Sequence, residues 1–309
     1  MEQEKVLDLE SAAEYICTAL ANNPKGFSGG KIGTSEFNAI CHFLKRKQSA
    51  NQIPTPYPHW VIREMTQNAG FWQGNNITMD LALDNWAQNT LEAISNLDVV
   101  VCWNPSARAQ ELELINYYNA KAKKIPLRAL EPYYTPKNQY TLNMTNGPIA
   151  VVSPFAKSIE KQWLKRSAIF PPNGPAGPMW LNNQKLIPIT AKYGPVMTAK
   201  NITLSWSPDI RNGGYMSAID YLENEVVQSG AKYAFVGIGC LSLILVSRLK
   251  KHGIVAFHTG GGTQIMFGIK GKRWLNHNVI STFFNPLWTT PGLDEVPSEA
   301  LNVEGGCYW

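Results

Sequence analysis

The chain has 309 residues, of which 44% are hydrophobic, with 24 glycines and 20 prolines, and this composition supports a full core and excludes a disordered or disulfide-stapled protein. Charged residues make up only 17%, which argues against coiled coils and long solvated helices. The formal net charge of +5 is too small to indicate a general polyanion binder.

The sequence gives little indication of a membrane-spanning helix, of paired cysteines or of a secretory signal. No apolar run reaches the roughly 20 residues that a membrane-spanning helix needs. The five cysteines are widely spaced and form no Cys-x-x-Cys pair, which indicates free thiols rather than a zinc site. The first ten residues, MEQEKVLDLE, are acidic and polar rather than signal-like. We therefore expect a cytoplasmic protein without a transmembrane segment.

The first part of the chain alternates helical and extended patterns. Apolar spacing predicts a helix over residues 6–21, and the predicted strand FSGGKIG then leads into a helix capped by Thr34 or Ser35. Two further helical stretches, 60–69 and 79–95, precede the strand DVVVCW, whose β-branched run is typical of a buried parallel strand.

An amphipathic helix is predicted over residues 107–122, followed by a short strand within IPLRALEPYY. Residues 133–147 are rich in Asn, Pro, Thr and Tyr and have no periodicity. We expect one α/β unit over residues 1–309, with an internal division near 133–147.

The alternation restarts after this segment. Strands are predicted at 149–153, 233–237 and 254–258, helices at 158–169, 215–228 and 241–252, and an extended region at 186–206. Strands that alternate with long helices predict an α/β fold with a largely parallel sheet flanked by helices. Ligands of such sheets bind beyond the carboxyl ends of the strands.

Two glycine-rich turns follow predicted strands in the second half. Val236-Gly-Ile-Gly239 ends a strand and opens a helix, which suits either a phosphate or tight strand–helix packing. A dinucleotide fingerprint is disfavoured, because Ser242 stands where its third glycine would be and the next strand ends in His258 rather than an acidic residue.

The second turn, His258-Thr-Gly-Gly-Gly-Thr-Gln264, precedes FGIKGKRW in a stretch from 226 to 293 that contains no acidic residue. Glycines allow close approach of a ligand, the basic residues supply positive charge, and Trp274 supplies a stacking face. The combination suits a nucleoside diphosphate; a solvated basic face is the alternative.

Two further strand ends carry candidate polar groups. Glu36 stands at a helix N-terminus, where it either stabilises the helix dipole by about 0.3–1 kcal/mol or acts as a catalytic base or metal ligand. Ser158 opens the helix after SPFAK and serves as an anion-binding residue or an ordinary N-cap.

These motifs resemble a known family. The string FHTGGGTQIMFGIKGKRW, preceded by VGIGCLSLILVSRLKKHG, is similar to the C-terminal signature of a glycosyltransferase family of the GT-D fold. The blocks GGKIGTSEFNAI, VVSPFAKSIEKQW, FNPLW and VEGGCYW resemble further blocks of that family in the same order, so the resemblance covers most of the chain.

The resemblance implies a Rossmann-like enzyme that transfers a sugar from a nucleoside-diphosphate sugar to a glycan or other hydroxyl acceptor. Relatives carry Asp-x-Glu near the first strand for metal and nucleotide, and here the triplet is Thr34-Ser35-Glu36. We therefore expect the negative charge of the diphosphate to be neutralised either by Mn²⁺ or Mg²⁺ at Glu36 or by the basic residues Lys270, Lys272 and Arg273. The turn after Val236 also differs, because relatives have Gly-Cys-Gly-Ala-Tyr-Gly where this chain has Gly237-Ile-Gly-Cys-Leu-Ser.

Site roles follow from this resemblance and from the strand-end motifs. Glu36 is the expected catalytic base, with His258 or Glu304 in reserve. The expected donor and diphosphate contacts are Lys31, Gly33, Ser158, Gly237, Gly239, Gly260, Gly261, Gly262, Gln264, Lys270, Lys272 and Arg273. A non-catalytic sugar-phosphate or nucleotide binder is the alternative. A nucleic-acid binder is disfavoured, because the ten tryptophans are scattered rather than interleaved with the basic cluster.

Overall fold

The computed structural model describes residues 6–22, 24–48, 54–104 and 106–309. Its strands are β1 (Phe27–Lys31), β2 (Val99–Val101), β3 (Lys123–Ile125), β4 (Ile149–Ser153), β5 (Leu186–Thr190), β6 (Tyr233–Val236) and β7 (Val255–His258). They form one seven-stranded sheet in the order β3-β2-β1-β7-β6-β4-β5, and every neighbouring pair is parallel. The predicted α/β class with a parallel sheet flanked by helices is confirmed.

The helices occupy the connections between strands. They are α1 (Leu9–Ala21), α2 (Thr34–Gln48), α3 (His59–Arg63), α4 (Met79–Ser95), α5 (Arg108–Tyr118), α6 (Ala156–Trp163), α7 (Arg166–Ile169), α8 (Pro208–Gly213), α9 (Tyr215–Gln228), α10 (Ser242–Lys251) and α11 (Gly262–Met266). A π-helical turn, Glu64–Asn68, continues α3. Short 3-10 turns fill much of the remaining chain.

The sheet separates two apolar clusters, one on each face. Successive strand residues alternate between them, so that Val100 belongs to one cluster and Val99 and Val101 to the other. In the centre, a side chain at Gly29 or Gly30 would collide with Val99 or Leu243. The glycine-rich strand β1 therefore lets its neighbours approach closely and brings its carboxyl end between those of β2 and β7.

Most predicted elements lie where the sequence indicates, and four differ. Of the extended region expected over 186–206, only Leu186–Thr190 is a strand, and 3-10 turns at Pro195–Thr198 and Ile202–Leu204 follow it. The first helix begins at Leu9 because Asp8 caps it, accepting from Ser11 N at 2.9 Å. The strand expected in IPLRALEPYY stops at Ile125, before Pro126, and 3-10 turns follow. The helix expected over 158–169 is two, α6 and α7.

The segment 133–147 does not separate two sheets. Tyr133 and Tyr140 are buried in one apolar cluster, and the strands before and after the segment share the same sheet, with β1 beside β7. No helix within the described ranges is long and apolar enough to cross a membrane.

Candidate functional site

A cleft of about 530 Å³ lies at the carboxyl ends of the strands. Its walls come from the segments that follow six of the seven strands, β3 being the exception among those the structure describes. The carboxyl ends of parallel strands meet at one sheet edge, which is why motifs far apart in sequence converge here. One wall belongs to the cluster that contains α2 and α9, and the opposite wall to the cluster that contains α1 and the C-terminal residues.

Lys31 is the last residue of β1 and lines the cleft. Its ammonium nitrogen lies 4.5 Å from the centre of the Trp103 ring, a cation–π contact. The Gly260 turn approaches so closely that a Cβ there would lie 2.8 Å from Lys31 Cε. Burial lowers the pKa of Lys31, and the charge of Glu36 opposes this effect. Lys31 is thus a partly desolvated cation that lies against the glycine turn at Gly260.

Glu36 lies in the first turn of α2 and lines the same cleft. Its carboxylate folds back over Gly33, where any Cβ would overlap it. Burial raises the pKa of Glu36, while a bond from its own backbone N–H and the charge of Lys31 lower it. A carboxylate with a raised pKa is a stronger base than an exposed glutamate.

His258 closes the floor of the cleft at the end of β7 and is 4% exposed. Its Nδ1 lies 3.2 Å from the carbonyl oxygen of Val236. Because a carbonyl only accepts, we assign the ring proton to Nδ1, which leaves Nε2 as an acceptor. Burial, and then the charge of Lys31, lower the pKa of His258 to about 3, so the ring is neutral at physiological pH.

Arg273 reaches the cleft from the opposite wall, where the C-terminal residues hold it. Its Nη1 donates to the Tyr308 hydroxyl at 3.1 Å, and its Nη2 pairs with Glu304. Its guanidinium carbon lies 4.7 Å from the centre of the Tyr308 ring. A guanidinium carries five N–H donors, so these two partners leave donors for an anion in the cleft.

The two glycine turns frame the space between these groups. Gly237, Gly239, Gly260 and Gly261 all line the cleft. A Cβ at Gly237 would lie 2.6 Å from Thr263 Oγ1, so only glycine lets the two turns touch. Gln264 also lines the cleft; it is 2% exposed, and its Oε1 has no hydrogen-bond partner among the described residues.

Four of the residues predicted from sequence lie outside the cleft. The Glu295 carboxylate occupies the backbone and hydroxyl donors of Ser158, so this helix start is already capped. Lys270 lies with its ammonium 5.4 Å from the Phe284 ring centre, and Lys272 is exposed beside Gly306. Gly262 faces Glu131 and Tyr133 behind the turn.

Aromatic side chains that sequence reasoning did not assign to the site form much of the remaining wall. Trp72 and Trp206 stack with centroids 6.3 Å apart and an angle of 24° between the ring planes. Tyr193 and Trp309 line the cleft farther along, with centroids 6.2 Å apart. Trp72 and Trp206 lie outside the helices and strands. This loop position is the only feature of the local sequence that could have marked them as site residues.

Few of the described side chains in the cleft could coordinate a divalent cation. The described residues contain no group of three or more His, Cys, Asp and Glu side chains that could hold a metal ion. Within the described part of the cleft, the acidic residues are Glu36 and Glu304, and Glu304 is paired with Arg273. Glu36 and Glu304 do not form a metal site by themselves. The binding of Mn²⁺ or Mg²⁺ therefore remains a prediction.

Comparison of the chain with protein-family models, with curated proteins and with solved structures finds no match. The resemblance to GT-D glycosyltransferases accordingly remains a prediction from the sequence motifs.

Proposed function

We propose that the protein is a glycosyltransferase that takes a sugar from a nucleoside-diphosphate sugar and passes it to a hydroxyl acceptor. One observation carries the proposal: two cations, Lys31 and Arg273, and the half-buried carboxylate of Glu36 line one cleft together with several aromatic side chains. Diphosphate recognition needs fixed positive charge, and ring recognition needs flat apolar faces.

In the proposed transfer, the acceptor oxygen forms a bond to the anomeric carbon of the donor. The bond from that carbon to the diphosphate oxygen breaks, and its electron pair leaves with the diphosphate. Lys31 and Arg273 stabilise the charge that develops on this leaving group. No step is assigned to a metal ion.

The acceptor hydroxyl loses its proton to Glu36. This assignment follows from burial, because it raises the pKa of Glu36 toward the range in which a carboxylate accepts a proton effectively. His258 is the weaker alternative, since its pKa of about 3 makes the imidazole a poor base. Glu304 is engaged by Arg273.

A thermal-shift screen of nucleoside diphosphates and their sugars, with and without Mn²⁺, tests the proposal. A ligand at 100 times its Kd should add about 2.7 kcal/mol to the free energy of unfolding. Stabilisation by one nucleotide series would name the base, and dependence on Mn²⁺ would restore a metal role. No stabilisation by any member would contradict the proposal.

Donor hydrolysis separates a transferase from the binding-protein alternative. The stabilising nucleotide sugar is incubated with the protein, and release of free nucleoside diphosphate is measured over hours. A transferase should release it slowly without acceptor, whereas a pure binder should release none. The Glu36→Gln variant is the control for adventitious hydrolysis.

A further inference from the structure

One wall of the cleft consists of neutral polar side chains. We call it the neutral polar wall and define it by Thr34, Ser35, Gln67 and Asn68, all of which line the cleft. Thr34 is exposed and the other three are half-buried, so a ligand in the cleft can reach them. Among the described residues, none of the four side chains has a hydrogen-bond partner. The wall therefore offers two hydroxyls and two amides that are free to bind a ligand.

A π-helical turn brings the two amides to the cleft. In the turn Glu64–Asn68, Ala69 N donates to the carbonyl oxygen of Glu64, five residues earlier, at 3.1 Å. Single π-helical turns are rare and frequently lie at functional sites. Gln67 and Asn68 are the last two residues of this turn, and both line the cleft. The turn is thus the local feature that presents adjacent amides to a ligand.

Contacts between elements hold the two parts of the wall together. The hydroxyls belong to the first two residues of α2, and Asn38 Nδ2 of this helix donates to Glu64 Oε2 at 3.4 Å. On the other side of the turn, Cys240 N donates to the carbonyl oxygen of Ala69 at 2.9 Å. The charge of Glu64 contributes to the raised pKa of Glu36, which puts the proposed base near the turn. The neutral polar wall is therefore fixed beside that carboxylate.

The chemistry of the wall differs from that of the cations in the cleft. Lys31 and Arg273 are charged and only donate, which suits the oxygens of a diphosphate. An amide or a hydroxyl carries no charge and both donates and accepts, so it matches a ligand group with the same two capacities. The hydroxyls of a sugar ring are such groups. The wall therefore favours a neutral, polyhydroxylated ligand over an anion.

We infer that the neutral polar wall binds the hydroxyl groups of a sugar ring, and that Gln67 and Asn68 select which sugar the cleft accepts. A sugar that lacks or inverts a bound hydroxyl leaves its protein partner unpaired and binds less well. The sugar is either the transferred sugar of the donor or a sugar of the acceptor. That choice rests on the proposed function, whereas the recognition of sugar hydroxyls does not.

Titration with free monosaccharides tests the sugar site without any nucleotide. Glucose, galactose, mannose, xylose and N-acetylglucosamine are each added to about 0.1 M, and binding is followed by saturation-transfer NMR. We expect wild-type protein to bind at least one of them. Gln67→Leu and Asn68→Leu remove the hydrogen-bonding groups of these side chains, and each should weaken that sugar about 2–10-fold. Thermal unfolding checks that both variants are folded.

Gln88→Leu is the matched control. Gln88 is exposed on α4 and does not line the cleft, so the same substitution there should leave sugar binding unchanged. No binding of any of the five sugars to wild-type protein, or unchanged binding in both Gln67→Leu and Asn68→Leu, would overturn the inference. Equal weakening by Gln88→Leu would do the same, because the effect would then not belong to the neutral polar wall.

A second series distinguishes the two sources of the sugar. It uses the nucleoside diphosphate that stabilises the protein, together with its nucleotide sugars. If Gln67→Leu weakens the nucleotide sugar but not the nucleoside diphosphate, the wall binds the sugar of the donor. If a free sugar binds alongside saturating nucleotide sugar, and only the free sugar responds to the variant, the wall binds the acceptor.

Equal weakening of the nucleoside diphosphate and its nucleotide sugar would mean that the wall binds the nucleotide, and this result would overturn the inference. Failure of every nucleoside diphosphate to bind would instead count against the proposed function. The free-sugar titration would still decide whether the neutral polar wall binds sugar hydroxyls.

Discussion

The carboxylate of Glu36 lies directly against the α-carbon of Gly33, so that a Cβ at residue 33 would overlap both carboxylate oxygens. Glycine at position 33, between β1 and α2, is thus what allows the side chain to fold back over the start of its own helix. The same fold-back brings the carboxylate into the buried part of the cleft, near Lys31. The proposed base depends on this pairing.

Replacement of Glu36 by Gln should lower turnover by about 10²–10⁴-fold, because the variant cannot accept the acceptor proton. Wild-type turnover should fall as pH falls through the pKa of Glu36, which burial raises, and this limb should be absent from the variant. The measurement is the pH dependence of sugar transfer or of donor hydrolysis.

Glu64→Gln is the matched control for this change. Glu64 raises the pKa of Glu36 through its charge but does not line the cleft, so this variant should keep turnover within about twofold. Full activity in Glu36→Gln would show that the base is another residue.

Arg273→Ala should raise the Kd of the stabilising nucleoside diphosphate about 10–100-fold, since a charge-assisted hydrogen bond contributes about 1.5–3 kcal/mol. The neighbouring Lys272→Ala should leave the Kd nearly unchanged, because Lys272, unlike Arg273, does not line the cleft. Calorimetric titration of both variants, with thermal unfolding as the folding check, makes the comparison. Equal weakening in the two variants would show that general positive charge, rather than Arg273, binds the diphosphate.

The difference between these two neighbours also shows what the sequence could not reveal. Lys272–Trp274 forms a 3-10 turn, which directs adjacent side chains to different sides. By sequence spacing, Lys270, Lys272 and Arg273 form one basic block. Only the 3-10 turn shows that the side chains of Arg273 and Lys272 point to different sides. The parallel sheet, in contrast, follows from local patterns: the β-branched run in β2 and the apolar periodicity of α4 and α9 are visible within each element.

Contacts between distant segments account for the other gaps. Ser158 looks like a free helix start in sequence, yet Glu295 caps it from 137 residues away. Trp72 and Trp206 meet only because loops after different elements converge at the strand ends. No local pattern encodes either contact, whereas the strand-end positions of Lys31, Glu36 and His258 follow from the rule that parallel strands end together.

The buried His258 should make folding stability depend on pH in a predictable direction. Its pKa of about 3 lies below the ordinary value of 6.5, so the folded state disfavours the charged ring. The neutral form is fully tolerated above pH 6.5, and stability is lost as pH falls from there toward 3. Between pH 6.5 and 5, this group should cost roughly 1.5 kcal/mol of the free energy of unfolding.

His258→Asn isolates this contribution, because the Asn amide keeps a donor for the Val236 carbonyl but does not titrate. Urea unfolding of both proteins at pH 7.5, 6.5 and 5 gives the comparison. We expect the pH dependence of the variant to be shallower by the stated amount. Parallel curves would mean that His258 is not desolvated in the folded protein.

Gly239 and Gly253 offer a matched pair that tests the turn after β6, which lines the cleft. Both have positive φ, +61° and +77° respectively. A Cβ at Gly253 would meet nothing within 4 Å, whereas one at Gly239 would overlap the carbonyl oxygen of Ala69. Gly253→Ala should therefore cost only the backbone strain of about 1–2 kcal/mol, and Gly239→Ala about 1–3 kcal/mol more.

Urea unfolding of both variants measures the difference, and titration with the stabilising nucleoside diphosphate shows whether it reaches the cleft. Because the collision displaces Ala69, which lines the cleft, Gly239→Ala should also weaken diphosphate binding, while Gly253→Ala should leave it unchanged. Equal destabilisation by the two substitutions would mean that the Ala69 segment moves aside at no cost. The turn after β6 would then not hold this wall of the cleft in place.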